Sequence, residues 1–267
     1  MKKFISFMIT TIITILFILL AISFSIKNIL VNTLNKEIVA SEISNKINYQ
    51  LEKYDLSSEE LEKVENYIKN SDEVYNITEK YLDEIVNITL NKNASRIDIT
   101  TDIKSILNNS NTSLNEEEKT ELSNIINDNL DKIYNVVSND YIENMTSEYK
   151  SIANIYDILI SNTFKVVIIS LIILLIIILG ILKKSVYKLF INLSVSFLIS
   201  GIFLSFILPE VLDFIIKDMM SNLGNYKINI NFLINFGYIY LSLFSLFVII
   251  SLVISKIKTK IMEKASY

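Results

Sequence analysis

Residues 166–182 read Val-Val-Ile-Ile-Ser-Leu-Ile-Ile-Leu-Leu-Ile-Ile-Ile-Leu-Gly-Ile-Leu, seventeen residues without a charge and fifteen of them Val, Ile or Leu. At about −0.4 kcal/mol for each of these aliphatic residues, insertion into a bilayer is favourable by roughly 6 kcal/mol. A bilayer core about 30 Å thick needs roughly 20 apolar residues at 1.5 Å each, so the run reads as a membrane span. Three more uncharged runs flank it: Phe4 to Ile26 before it, and Leu189 to Leu208 and Phe236 to Ile254 after it. The fold class predicted from these runs is all-α, with four transmembrane helices and an elongated helical extracellular domain between the first and second spans.

Lysine placement orients the spans, because positive charge near span ends is retained in the cytoplasm. Lys2 and Lys3 precede the first span, Lys183, Lys184 and Lys188 lie between the second and third, and Lys256, Lys258, Lys260 and Lys264 follow the fourth. Against these nine stands a single acid, Glu263, while Lys27 and Lys165 argue the other way. The predicted order is a cytoplasmic N-terminus at 1–3, a span at 4–26, an extracellular domain at 27–163 and a span at 164–182. A cytoplasmic link at 183–188, a span at 189–208, an extracellular loop at 209–232, a span at 233–254 and a cytoplasmic tail at 255–267 complete it. The first apolar run exceeds the 7–15 residues of a secretory signal, so it reads as an uncleaved anchor. Ala21-Ile22-Ser23 is the best cleavage site for the alternative.

The chain of 267 residues is 51% hydrophobic and 20% charged, with one Pro, four Gly and no Cys, His or Trp. That composition excludes a Ser-His-Asp triad, a thiol nucleophile, a zinc-finger ligand set and a disulfide. Residues 27–164 carry 13 basic and 25 acidic side chains, a net charge of −12, whereas the remainder carries 12 basic and 4 acidic, a net charge of +8. A domain this acidic is not a nucleic-acid binder. Carboxylates such as Glu116, Glu117, Glu118 and Glu121 suit a solvated first helical turn better than acid/base work. Asn127-Asp128-Asn129-Leu130-Asp131 lacks the glycine and final acid of an EF-hand loop. The chain therefore reads as a non-enzyme, with no cofactor and no metal.

Because no Gly or Pro occurs before Gly180, the domain between the first two spans lacks ordinary turn punctuation, and helices are expected throughout. Apolar residues from Leu122 to Leu159 recur about every 3.7 positions, which predicts one long amphipathic helix running into the second span. Leu30, Leu34, Val39, Ile43, Ile47 and Leu51 continue a helix out of the first span. Ser57-Ser58-Glu59-Glu60 and Ser113-Leu114-Asn115-Glu116 fit capping boxes, and Ser71 and Thr101 are further cap candidates. Ile97 to Thr100 reads as an extended connector.

The segment Arg96-Ile97-Asp98-Ile99-Thr100-Thr101-Asp102-Ile103-Lys104, set between a lysine-tipped first span and three close-spaced spans, resembles uncharacterised four-span membrane proteins of low-GC Gram-positive bacteria with a helical extracellular domain. The resemblance implies a bacterial plasma membrane and no known activity. Lys outnumbering Arg 24 to 1 agrees with an AT-rich genome.

Spans associate in lipid through small and hydroxylated residues that let backbones approach. Ser6, Thr10 and Thr14, with Ala21 and Ser25, form such a stripe on the first span. Ser196 with Ser200, and Gly201 with Ser205, offer the same on the third. The second span has only Ser170 and Gly180 and is predicted to be the most lipid-exposed. In the second loop Pro209 is expected to open a helix closed by Gly224, with Val211, Phe214, Ile215 and Met219 on the apolar face of an interfacial helix. Tyr238 and Tyr240 are expected at the headgroup level. No span carries a charged residue at membrane depth or the paired Gly/Pro break that transporters use to build a midplane substrate site, which argues against an ion-coupled transporter.

The reading that follows is a multi-pass plasma-membrane protein with cytoplasmic termini, whose helical extracellular domain binds a partner, a wall component or a ligand. The expected partners are the lipid bilayer and other membrane or envelope proteins, not nucleic acid, and no residue pattern argues for a homo-oligomer. The alternative is the membrane subunit of a sensor, or of an ATPase-coupled permease complex similar in layout to FtsX-type proteins. That layout is an analogy of order alone.

Overall fold

A computed structural model describes residues 2–34, 39–54, 57–69, 71–90, 92, 97–110, 112–128, 147–212 and 229–265. Every regular element among them is helical. In chain order these are α1 (Lys2–Leu34), α2 (Ala40–Leu51), α3 (Ser58–Ile68), α4 (Asp72–Thr89), α5 (Thr100–Asn109), α6 (116–128), α7 (Ser147–Ile160), α8 (Asn162–Lys183), α9 (Val186–Ile202) and α10 (Asn231–Ala265). The segments Lys2–Thr33, Asn162–Lys183, Val186–Leu212 and Asn231–Ile261 are long and apolar enough to cross a membrane, which is the build of a multi-pass membrane protein. The helices outrun the uncharged runs by a few residues or more at most ends, because the flanking charged and polar residues are themselves compatible with a helix.

The chain divides into two compact units, a span bundle of Met1–Ile29 with Ile158–Tyr267 and an intervening domain of Leu30–Asp157. The intervening domain has its own apolar core. Ile43, Ile47 and Leu51 recur every fourth residue on α2 and are fully enclosed, as are Ile103, Ile106 and Leu107 on α5 and Leu122 and Ile126 on α6. Each such side chain contributes about 1.5–3 kcal/mol when withdrawn from water. Ile97 and Ile99, in the connector before α5, are buried in the same core; the extended segment expected over Ile97 to Thr100 does not form, because Ile99 sits at φ −114° and ψ 8° and Thr100 already begins α5. The Ile99 amide donates to the side-chain oxygen of buried Asn127 at 3.0 Å, which fastens the connector to α6.

Helix starts in this domain follow cap chemistry. The Ser57 hydroxyl accepts from the Glu60 amide while the Glu60 carboxylate accepts from the Ser57 amide at 3.0 Å, a reciprocal capping box. The Ser71 hydroxyl accepts from the Val74 amide at 3.2 Å and starts α4. Two starts differ from the sequence reading. The box expected at Ser113 lies at Asn115, whose side-chain oxygen accepts from the Glu117 and Glu118 amides while Glu118 accepts from the Asn115 amide. Asn caps at least as well as Ser, and the Ser113 amide is already engaged by Glu60 at 3.0 Å. Thr101 caps nothing, because α5 begins at Thr100, whose amide is taken by Asp98.

The long helix expected from Leu122 to Leu159 passes through residues 129–146, which lie outside the described residues. Its far end does not run unbroken into the second span. Ser161 adopts an extended conformation and its hydroxyl accepts from the Phe164 amide at 3.1 Å, so α7 ends and α8 starts afresh. Between α8 and α9 the turn is made by Lys184, held at φ 49°, and Ser185. The Lys184 amide bonds back to the Gly180 carbonyl at 3.1 Å, the usual left-handed stop of a helix.

Pro209 also departs from expectation. It does not open a separate helix. The third span continues through a π-helical turn at Phe203–Ile207 and on to 212. Proline lacks an N–H, and its ring presses on the carbonyl four residues back, here Ser205. Widening the preceding turn relieves that pressure.

Candidate functional site: the hydroxyl seam of the span bundle

The first and third spans meet along hydroxyls. On α9 the Ser196 hydroxyl donates to the Thr10 carbonyl at 3.2 Å, and one turn on the Ser200 hydroxyl donates to the Thr14 carbonyl at 3.1 Å. The Thr10 hydroxyl bonds its own helix at the Ser6 carbonyl, 2.8 Å away, and reaches the Asn192 side-chain oxygen at 3.4 Å. Ser196 and Ser200 are completely enclosed. Small side chains let the backbones close up, and the carbonyls of α1, already in helical bonds, accept through a second lone pair.

Of the residues singled out from sequence, Ser6, Thr10, Thr14, Ser196 and Ser200 therefore gather at the α1–α9 seam. Gly201 and Ser205 do not; they face α10. A Cβ at Gly201 would sit 3.0 Å from the Gly237 carbonyl oxygen and 2.8 Å from Leu241 Cγ. One at Gly237 would sit 2.8 Å from the Ser205 backbone nitrogen and 3.0 Å from the Gly201 carbonyl oxygen. The α9–α10 contact is thus backbone against backbone. Val211 is exposed at the end of the described segment, and Phe214, Ile215, Met219 and Gly224 lie outside the described residues.

Tyr240 is a correction to its expected headgroup position. It is buried, and its hydroxyl donates to the Phe17 carbonyl at 3.0 Å, near the middle of the first apolar run. Its ring centroid lies 5.6 Å from Phe17 and 5.7 Å from Phe197, and Phe17 stacks on Phe197 at 4.6 Å. A phenol inside a bundle needs one acceptor and apolar faces, and it has both. Tyr238 is exposed. The second span buries 17% of its most apolar window, the same share as the fourth, against 39% and 44% for the first and third, so two spans share the most exposed position.

These bonds also set the direction of each helix. Thr10 with Ser196 and Thr14 with Ser200 advance together, so α1 and α9 run parallel. Phe17 with Tyr240, and Tyr187 with Ser251 at 3.1 Å, run α10 the opposite way. The lysines that begin α1, those of the α8–α9 link and those that close α10 therefore belong to one end of the bundle.

Beside the seam lies a groove of about 420 Å³. At the lysine end it is lined by Lys3 and Lys183, then by hydroxyls and Asn192, and farther along α1 and α9 by Ile15, Ile18 and Ile199. Among the described residues, no acid lines it. The Ser6 hydroxyl is buried beside it and, among the described residues, has no hydrogen-bond partner. Sequence reading passed over Asn192, Gly237 and Tyr240 in this role. Asn192 and Gly237 interrupt apolar runs and were the available signals.

The intervening domain offers electrostatic structure of a different kind. Lys80 pairs with Asp102 at 2.5 Å, and Lys92 pairs with Asp157 at 2.6 Å across 65 residues of chain. Hydrogen bonds from Ser113 first, and from Ser57, draw the Glu60 carboxyl down to about 2. Burial, then the charges of Asp83 and Glu79, push the Tyr156 phenol above its ordinary value. Among the described residues, no group of three His, Cys, Asp or Glu side chains is placed to hold a metal ion.

No protein-family model, curated protein or solved structure matches the chain.

Proposed function

We propose that this chain is a non-enzymatic multi-pass protein of a bacterial plasma membrane. In this reading the intervening helical domain is presented outside the cell to bind a partner, a wall component or a ligand, and the span bundle is its anchor. One observation carries the reading: a single chain holds two separate apolar cores, one built on four membrane-length helices and the other on water-compatible amphipathic helices. The gathering of three lysine groups at one end of the bundle supports cytoplasmic termini, because positive charge is retained on that side. The two-residue turn at Lys184 and Ser185 leaves no docking segment for an ATPase at that link, which weighs against the permease alternative.

The test is photo-crosslinking of the full chain in native membranes. Crosslinking residues at exposed Asn108 and Glu117 are expected to give discrete protein or wall-fragment adducts, while Val167 and Ile173 on the exposed flank of α8 give lipid adducts. Absence of adducts at the domain positions, or the same adducts at both sets, overturns the proposal.

A further inference from the structure

We propose that the groove between the first and third spans is a binding site for an anionic glycerophospholipid, with its phosphate at Lys3 and Lys183 and one acyl chain along Ile15 and Ile199. The order of the lining makes the case. Two ammonium groups with no acid among the described lining residues favour an anion, and the apolar far end favours a hydrocarbon tail. Twelve residues separate Lys3 from Ile15, a rise of about 18 Å, which matches a headgroup plus one leaflet of a core about 30 Å thick.

A second observation is independent of the charges. Ser6 is 2% exposed, lines the groove, and its hydroxyl has no partner among the described residues. An unpaired buried hydroxyl is costly, and an ester or phosphate oxygen is the acceptor it lacks. Three residues, about 4.5 Å of helix, separate Ser6 from Lys3, which places that acceptor at the junction of headgroup and tail. The groove is open to lipid along its apolar part, where Ile15, Val195 and Ile199 are 52%, 41% and 50% exposed. A free inorganic anion would use the lysines and leave that part without a role. The inference rests on the spans lying in a bilayer and not on which side the domain faces.

The test uses the purified full chain in detergent, with retained lipid counted by native mass spectrometry. Dioleoyl phosphatidylglycerol is expected to be retained as one tightly held copy, and dioleoyl phosphatidylcholine at least tenfold less. Lys3→Gln with Lys183→Gln is expected to weaken retention about thirtyfold, while Lys256→Gln with Lys258→Gln leaves it unchanged. Val195→Trp with Ile199→Trp, at two exposed positions, fills the apolar part and abolishes retention with both groove lysines intact; this pair decides the matter if the lysine variant fails to fold. Equal retention by either groove variant, equal binding of phosphatidylcholine, or displacement by inorganic phosphate alone overturns the proposal. None of these readouts depends on membrane orientation, so failure here is distinct from failure of the display function.

Discussion

The intervening domain and the span bundle each enclose an apolar core, but they differ in what else packs inside and in what faces outward. In the domain, Ile47, Ile103 and Leu122 fill the centre, while Ser57, Glu60, Asn115 and the Lys80–Asp102 pair work at its edges. In the bundle, Ile173, Ile177 and Leu252 are turned outward, and Ser196, Ser200, Gly201 and Gly237 are turned inward. Water rewards burial of hydrocarbon, but lipid does not distinguish a buried Ile from an exposed one, so close backbone approach and hydroxyl bonds decide contacts there. The same residue type therefore has different consequences on the two sides of Ile29 and Leu30.

Truncation of an enclosed aliphatic residue in the domain sharpens this contrast most. Ile103→Ala is expected to cost about 2–5 kcal/mol, read as loss of hydrogen-exchange protection across α2, α5 and α6, while Ile177→Ala on the exposed flank of α8 changes nothing measurable. Equal effects would erase the distinction. Next in size is Gly237→Ala, at about 1–3 kcal/mol from overpacking against backbone, seen as a lower melting temperature of the full chain in detergent. Gly201→Ala is expected to cost less, because a Cβ there meets one backbone atom, the Gly237 carbonyl oxygen at 3.0 Å, whereas one at Gly237 meets two, at 2.8 and 3.0 Å. The reverse order would break the assigned geometry.

Smaller still, Ser200→Ala in the seam should cost about 0.6 kcal/mol, the average for hydroxyl bonds between spans. Asn127→Ala in the domain strands the Ile99 amide and should cost about 1–3 kcal/mol. Comparing the two melting curves checks whether polar contacts matter more in the watery unit. The smallest effect is with acid. Glu60 has a folded pKa lowered from 4.5 to about 2, so its contribution is present above pH 4.5 and is lost as the pH falls towards 2. Glu60→Gln should flatten that part of the pH dependence of exchange at α3, and an unchanged profile would contradict the assigned hydrogen bonds.

The spans were legible because four uncharged runs have no other stable home, and lysine spacing marked their ends. Ser57 and Ser71 were legible as caps because cap chemistry is local. Asn115 was not separable from Ser113 by local pattern, since the choice depends on Glu60, 53 residues away, occupying the Ser113 amide. Pro209 misled for a related reason: proline suits a first helical turn, but it is also tolerated after a π-helical turn, and only the backbone path discriminates. Tyr240 shares its residue type with interfacial tyrosines, and its burial follows from Phe17 and Phe197 on two other spans. The hydroxyl stripe could be read from helical spacing, but its partner helix could not, because Ser196 and Gly201 lie on neighbouring turns and face different spans.

The most direct measurement places single cysteines in this cysteine-free chain and labels intact cells with a membrane-impermeant thiol reagent. Asn108→Cys, at an exposed position in the intervening domain, is expected to react in intact cells, and Ser185→Cys, in the α8–α9 turn, only after the membrane is permeabilised. Labelling of Ser185→Cys in intact cells, or protection of Asn108→Cys until permeabilisation, would contradict the account.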